Sequence, residues 1–599
     1  MNKKAPSTLT IKEGDSREQH LRPLDFSLIR RLWTLTRPHR GRRNALLVLV
    51  SVRSLQITFL VALIPAILRG PVADHNVRGI IGGALLLLLF AVFTQATLFF
   101  RMRLGLQLGE AIVHDLRNAV FEQLQRLSMD YYNRTKLGRI ISRITSDTEA
   151  IRIGVQDVFF VSMVMIGQMA TATLYMLYYD RFLFLVVLAL APILYVINQR
   201  FRVKLSNATR DVQESFSRIT ATLAESVGGI RVTQSYVRQK VNAEMFRALV
   251  TDHSNFNMAV SRTSGVFLPL LNLNNQFFIV AILLLGGWRA MRGYTAIEDI
   301  VGFILMTGQF FAPVMILGRL YTQAMRAMAG AERVFRLLDT KPTIVDPPDA
   351  IEIPPIRGHI AFRNVSFEYI PGRPVLRNIN FIAEPGRTVA LVGQTGSGKS
   401  SIINLLAKFH LPTSGTITID GFDMRRIRTD SLHQRIGLVL QQNFIFSGTV
   451  KSNIRLGRPG ATDDEIVAAT ETIGCRDLLE ALPQGLDTDV GEHGGNLALG
   501  QRQLVCFARA ILANPQLLFL DEATSSVDAM SEQRIQHALE ILLSRRTSFV
   551  VAHRISTIRN ADLVLVLQDG RIIERGDHYS LLDQNGVYTQ LYRRYQSIQ

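Results

Sequence analysis

Residues 393–400 read GQTGSGKS, between an apolar run from Thr388 to Val392 and a helix-forming run from Ser401 to Phe409. A strand, a glycine-rich loop and a helix in that order are what a phosphate cradle requires. Glycines at 393, 396 and 398 let the backbone curl, so that successive N–H groups point at phosphate oxygens near the positive end of the following helix. Gly393, Gln394, Thr395, Gly396, Ser397, Gly398, Lys399, Ser400 and Ser401 are therefore candidate nucleotide-binding residues. Lys399 would reach the outer phosphates, and the Ser400 hydroxyl would take a place on Mg²⁺. A glycine loop without the flanking strand and helix would read only as a flexible connection.

A second stretch supports the first. Leu517 to Glu522, LLFLDE, is an apolar strand ending in two carboxylates. In that arrangement Asp521 can hold Mg²⁺ and Glu522 can polarise a water for attack on the γ-phosphate. Val550, Val551 and Ala552 end another apolar strand, followed by His553; a lone histidine there is more often structural. The pattern from Ile360 onward, short strands and then alternating helices and strands, predicts an α/β domain.

The chain ahead of this domain has a different composition. The 599 residues are 48% apolar, and the excess lies before about residue 325, in runs such as Gly82 to Phe93. Segments of roughly 20 apolar residues cross a bilayer, and six candidates occur, around 46–68, 79–100, 155–178, 182–197, 266–285 and 300–320. The turn Tyr179–Asp180–Arg181 between the third and fourth is expected outside the cell. The links after the second and fourth are long, arginine-rich and helical in period, and are expected to project into the cytosol. The net charge of +18 follows from arginines beside the apolar runs, such as Arg30, Arg31, Arg37, Arg40, Arg42 and Arg43. Positive-inside topology accounts for them without a nucleic-acid partner. The first 30 residues lack the apolar centre of a cleaved signal, so the first span itself is expected to target the chain, leaving the N-terminus cytosolic. The only cysteines, Cys475 and Cys506, make no disulfide framework.

Arg53, Gln56, Gln168, Asn272, Asn274, Asn275 and Gln276 fall inside the spans and should face the bundle interior or a water-filled cavity. A substrate path and interhelical hydrogen bonds are both open readings. The proline-rich stretch KPTIVDPPDAIEIPPIRG marks a linker. The expected division is an N-terminal cytosolic segment (1–40), a transmembrane domain (41–335), a linker (336–357) and a nucleotide-binding domain (358–599). The expected fold class is an all-α membrane domain, six transmembrane helices with long cytosolic extensions, followed by an α/β P-loop ATPase domain.

With these motifs in this order, the sequence resembles the ATP-binding-cassette family over nearly its whole length, in the half-transporter layout of multidrug and lipid exporters. The resemblance implies that Tyr369, in VSFEY, stacks on adenine, and that Gln441, in VLQQNFIFSG, senses Mg²⁺. It implies that Leu497, Ala498, Leu499, Gly500 and Gln501 cover the ATP of a partner subunit, with Asp528 in the loop joining the two sites. His553 matches the switch histidine, and Ser400, Gln441 and Asp521 the metal position. Coupling helices are implied near Asp130–Gly138 and Tyr236–Phe246. ATP and Mg²⁺ are the implied cofactors.

One departure bears on assembly. The family signature usually has serine second, and here that place is Ala498; Leu499 replaces a usual glycine. A hydrogen bond to a charged group is worth roughly 1.5–3 kcal/mol, so its loss would slow one site without abolishing binding. Glu522 is intact. An altered signature beside an intact base resembles members that pair with a different half, and a heterodimer is favoured over a homodimer. The function expected is ATP-driven export of a hydrophobic or amphipathic substrate, a drug, lipid or peptide, by a multi-pass protein of the cell inner membrane whose nucleotide-binding domain is cytoplasmic. The alternatives are a homodimeric lipid flippase and a nucleotide-gated channel or regulator. Nothing in the spans resembles a pore lined by charged rings, and Glu522 favours turnover over gating.

Overall fold

The computed structural model describes residues 26–521, 529–552 and 555–596. The chain divides into two compact units, one of Met1–Gln125 with Gly138–Asp339, the other of Arg126–Leu137 with Thr340–Gln599.

The first unit is helical. A short helix α1 (Phe26–Leu35) precedes α2 (Arg37–Val72) and α3 (Val77–Arg126). After α4 (Met129–Arg134), which belongs to the second unit, come α5 (Leu137–Tyr179), α6 (Arg181–Gly228), α7 (Gln239–Met291) and α8 (Ile297–Asp339). By length and composition α2, α3, α5 and α8 can each cross a membrane. In α6 and α7 the described residues hold shorter apolar stretches, Arg181–Leu190 and Gln276–Met291. At 1.5 Å per residue the 48 residues of α6 and 53 of α7 run to roughly 70–80 Å, far beyond the ~30 Å of hydrocarbon. They therefore continue well outside it.

α5 packs on α2 and α8, while α6 and α7 pair along their length. Ala172, Met176, Leu183, Phe278, Ile282, Phe303 and Met306 form the buried apolar centre. The opposite character appears on α3, where Leu85, Leu86, Leu88, Leu89 and Phe93 are exposed. A solvated surface of that kind is unfavourable at about 25 cal/mol per Å², and lipid removes the penalty.

Three of the polar groups inside the spans, Arg53, Gln56 and Gln168, bond between helices. Gln168 Nε2 donates to Gln309 Oε1 on α8 at 2.5 Å, and Thr97 Oγ1 on α3 donates to Gln56 Oε1 on α2 at 2.6 Å. Gln276 is exposed. The side chains of Asn272, Asn274 and Asn275 lie outside the described residues.

At the turn between α5 and α6, Asp180 is only 7% exposed. Its Oδ1 caps α6 by accepting from the N–H groups of Phe182 and Leu183, at 2.9 and 3.1 Å. Its Oδ2 accepts from Arg289 Nε and Thr295 Oγ1, joining the α7–α8 connection to the same point. At the other end of the bundle, Asp147 on α5 receives two bonds from Arg333 on α8, at 2.9 and 2.6 Å. The backbones approach closely there: a Cβ on Gly330 would meet the Asp147 carbonyl at 3.0 Å.

The second unit is built on two sheets. The smaller is antiparallel in the order β2-β1-β4-β5: β1 (Ile360–Ile370), β2 (Arg373–Ala383), β4 (Ser414–Ile419) and β5 (Phe422–Asp423). The larger has the order β10-β9-β3-β8-β7-β6: β3 (Thr388–Gly393), β6 (Ile436–Val439), β7 (Leu517–Asp521), β8 (Thr547–Val551), β9 (Leu563–Gln568) and β10 (Arg571–Gly576). All its neighbours are parallel except the edge pair β9–β10. The near-continuous Val/Leu/Phe composition of β3, β7 and β8 fits strands buried on both faces. One core fills the space between the two sheets around helix α9 (Lys399–Leu406); a second lies under α10 (Leu499–Ala513). Both cysteines are free and buried in that second core, and burial pushes the Cys475 thiol up to about 12.

Candidate nucleotide site

In the larger sheet β3 lies beside β8, and β8 beside β7, all parallel. Their C-terminal ends therefore deliver Gly393, Val551 and Asp521 to one edge, where open α/β sheets place ligands. Between β3 and α9 the loop turns with Gly396 at φ 86° and Gly398 at φ 104°. Both angles are in the left-handed region that glycine adopts without strain. At 398 a side chain would also strike Leu376, 2.6 Å from an added Cβ.

A cavity of about 400 Å³ opens over this loop, lined by Tyr369, Val375, Thr395, Gly396, Gly398, Lys399, Ser400, Ser401, Gln441, Asp521 and Val551. The structure thus brings the phosphate-loop residues, the strand-end carboxylate Asp521, the loop amide Gln441 and the aromatic Tyr369 to one place. Lys399 is buried, and its ammonium donates to the carbonyls of Gly393 and Gln394 at 2.8 and 2.9 Å. Burial lowers its pKa from the ordinary lysine value, and the nearby Asp521 charge opposes that. Ser397 is 5% exposed, and among the described residues its Oγ has no hydrogen-bond partner. A buried donor without an acceptor among the described residues, beside a lysine bonded to loop carbonyls, fits a loop made to receive anionic oxygens.

Tyr369 is fixed by its hydroxyl, 3.1 Å from Ser401 Oγ and accepting from Asn404 Nδ2 at 3.2 Å. Its ring meets His410 edge-on, centroids 5.1 Å apart. His410, 5% exposed, lies 3.3 Å from Asp130 on α4, and Arg134 of the same helix donates to the Tyr369 carbonyl at 3.2 Å. Ser128 Oγ, at the start of α4, accepts from the Thr343 N–H. The segment after α3 is thus held by groups next to the aromatic residue of the cavity.

The stretch Leu497 to Gln501 is elsewhere. Ala498 and Leu499 are exposed at the start of α10, Leu497 and Gly500 are buried, and none of the five lines the cavity. Gln501 Oε1 accepts from the Ala498 N–H at 2.9 Å, so the helix start is capped from its third residue, while alanine brings no side-chain acceptor for the Gln501 N–H in return. Glu522, Asp528 and His553 lie outside the described residues. Val375, Asn404 and His410 escape a motif reading. Val375 comes from the neighbouring strand by sheet register, and Asn404 and His410 act through the tyrosine they touch. No motif marks them: the β1–β2 pairing places Val375, and the packing of α9 and the turn after it against Tyr369 places Asn404 and His410.

Comparison with known proteins agrees with this geometry. Residues 45–314 match the family model described as ABC transporter transmembrane region, and residues 376–525 that described as ABC transporter. An uncharacterized ABC transporter ATP-binding protein of Bacillus subtilis (strain 168), YknV, is 34% identical over 95% of both chains. An ATP-dependent lipid A-core flippase of Syntrophus aciditrophicus (strain SB) is 32% identical over 95% of this chain and 94% of its own. A fatty acid ABC transporter ATP-binding/permease protein of Mycobacterium bovis (strain ATCC BAA-935 / AF2122/97) is 36% identical over 80% of this chain and 75% of its own. The chain belongs to the ABC transporter family: it is a multi-pass membrane half-transporter in which a membrane region and a nucleotide-binding ATPase share one polypeptide, with ATP hydrolysis coupled to export.

Proposed function

We propose that this chain moves a lipid-like amphipathic substrate out of the cytoplasm across the inner membrane, with its ATPase domain cytoplasmic and with a different half-transporter as its partner. The observation that carries the ATPase part is the single cavity shared by Lys399, Ser400, Gln441, Asp521 and Tyr369. In it the loop N–H groups and Lys399 hold the outer phosphates, and Tyr369 stacks on the base. Ser400, Gln441 and Asp521 would hold Mg²⁺, which when bound neutralises charge developing on the phosphoryl oxygens. Glu522 accepts the proton of the attacking water, and His553 contacts the γ-phosphate. For the cargo, support comes from relatives described as a lipid A-core flippase and a fatty acid transporter, and from the apolar, lipid-compatible α3.

Leu497, Gly500 and Gln501 shape the start of α10, which presents Ala498 and Leu499 to a partner's ATP, with Asp528 relaying between the two sites. Without a hydroxyl at 498, the site this surface closes is the slow one. The site combining Lys399, Glu522 and His553 with a partner's serine-bearing signature is the fast one. The test is hydrolysis by the purified chain alone and mixed with candidate half-transporters. Slow hydrolysis alone, raised tenfold or more by one partner, is expected; a stable pair of this chain with full substrate-stimulated hydrolysis would contradict the heterodimer.

A further inference from the structure

α2 and α3 run side by side in the first unit, and polar groups gather where they meet. Arg53 on α2 donates from Nη1 to the Thr94 carbonyl of α3 at 2.7 Å, and Thr97 donates to Gln56 Oε1. Gln56 is only 4% exposed, and among the described residues its Nε2 has no acceptor. One turn further along α3, Arg101 is half-buried, and among the described residues its Nε likewise has no acceptor. Arg53 and Arg101 lie within each other's electrostatic reach, with Asp157 of α5 the acid that acts on Arg101. Asp157 also acts on Arg152. Among the described residues, two guanidiniums are thus gathered with two buried N–H groups, Gln56 Nε2 and Arg101 Nε, that lack acceptors.

Such a set is costly inside a membrane unless an acceptor arrives. Its depth says what kind. Val77, the start of α3, is 24 residues before Arg101, or about 36 Å at 1.5 Å per residue, which puts Arg101 at the far boundary of ~30 Å of hydrocarbon. Arg53 is 19 residues before Val72, the end of α2, about 29 Å, and so stands near the same boundary. The donors therefore gather near the level of the inner headgroups.

We propose that Arg53, Gln56 and Arg101 form a site for the oxyanionic headgroup, phosphate or carboxylate, of an amphipathic substrate taken from the inner leaflet. The site rests on the amphipathic-cargo reading above and specifies the charge of that cargo. Guanidiniums bind both oxyanions with paired N–H donors, and the Gln56 amide supplies a third direction. The ligand's tail remains in the lipid-compatible surroundings of the two helices.

The experiment measures binding of two amphiphiles of identical tail, one with a phosphate monoester headgroup and one with a neutral hydroxyl, to the full chain in neutral-lipid nanodiscs. It uses the unaltered protein, Arg53→Gln, Arg101→Gln, and the charge-keeping Arg53→Lys and Arg101→Lys. The unaltered chain should favour the phosphate ester by tenfold or more. Each glutamine variant should lose most of that preference with neutral binding unchanged, and lysine should restore part of it. Equal affinity of the unaltered chain for both amphiphiles overturns the site while leaving the amphipathic-cargo reading intact. Binding of neither overturns both. If inorganic phosphate alone competes as strongly as the ester, the site belongs to a free anion and the headgroup assignment is wrong. Because the first comparison needs no variant, misfolding of a substituted protein leaves the outcome readable.

Discussion

Lys399 shows how much a single side chain is asked to do. It is buried, its charge opposed by desolvation, and it is kept in place by two carbonyl acceptors of its own loop. Phosphate oxygens are stronger acceptors for an ammonium than peptide carbonyls. Lys399→Ala is therefore expected to lower ATP turnover by roughly 10²–10³-fold, measured as steady-state phosphate release. Ala498→Ser tests the opposite change. Restoring a hydroxyl at the exposed start of α10 should raise hydrolysis by the chain alone by about tenfold, and an unchanged rate would remove the argument for a slow site. His410 supplies a pH dependence. Burial disfavours its imidazolium, and Asp130 opposes this only in part, so its pKa in the folded chain is below the usual value. The unfolded chain then binds the proton more readily. Stability should be full above about pH 6.5 and fall as the pH drops below it. Melting of the protein at pH 7.5 and 5.5 should show the loss, and His410→Gln should flatten it.

Among the elements, those whose signal is local were legible in the sequence. The β3–loop–α9 segment follows from glycine conformation and strand composition over a dozen residues; the strand runs Thr388–Gly393 close to the expected Thr388–Val392, while the helix spans Lys399–Leu406, two to three residues earlier at each end than expected. Asp521 was legible for the same reason, as the polar end of a buried strand. The convergence of Tyr369, Val375 and Gln441 was not derivable from residue chemistry, because it depends on register between strands and on loops far apart in sequence. Resemblance supplied two of the three; Val375 had no motif to carry it. In the membrane region the apolar runs gave the helices, but not the polar ties between them. Asp180 reads as a turn residue, yet it caps α6 and receives Arg289 and Thr295 from another connection. Asp180→Ala removes the cap and leaves Arg289 without its carboxylate, an expected loss of about 2–4 kcal/mol. Asp180→Asn keeps a cap acceptor and should recover part of it. Thermal unfolding in detergent or nanodiscs checks both.

For the protein entire, the two units have distinct physical requirements. The helical unit satisfies its backbone internally and turns leucine and phenylalanine outward, which only lipid tolerates. The α/β unit buries its parallel strands on both faces and leaves one edge open, where a phosphate loop, a carboxylate and an aromatic ring share a cavity. A chain with both requirements, of which 95% is covered by a relative described as an ATP-dependent flippase, couples fuel consumption to movement across a bilayer. The most direct measurement is uptake of a labelled amphiphile into inside-out vesicles containing the protein, with its partner where one is required, with and without ATP and with Glu522→Gln as control. Accumulation that requires ATP and is abolished by Glu522→Gln is the expected result. Equal accumulation without ATP, or unimpaired pumping by the Glu522→Gln protein, would contradict hydrolysis at this site as the driver of transport.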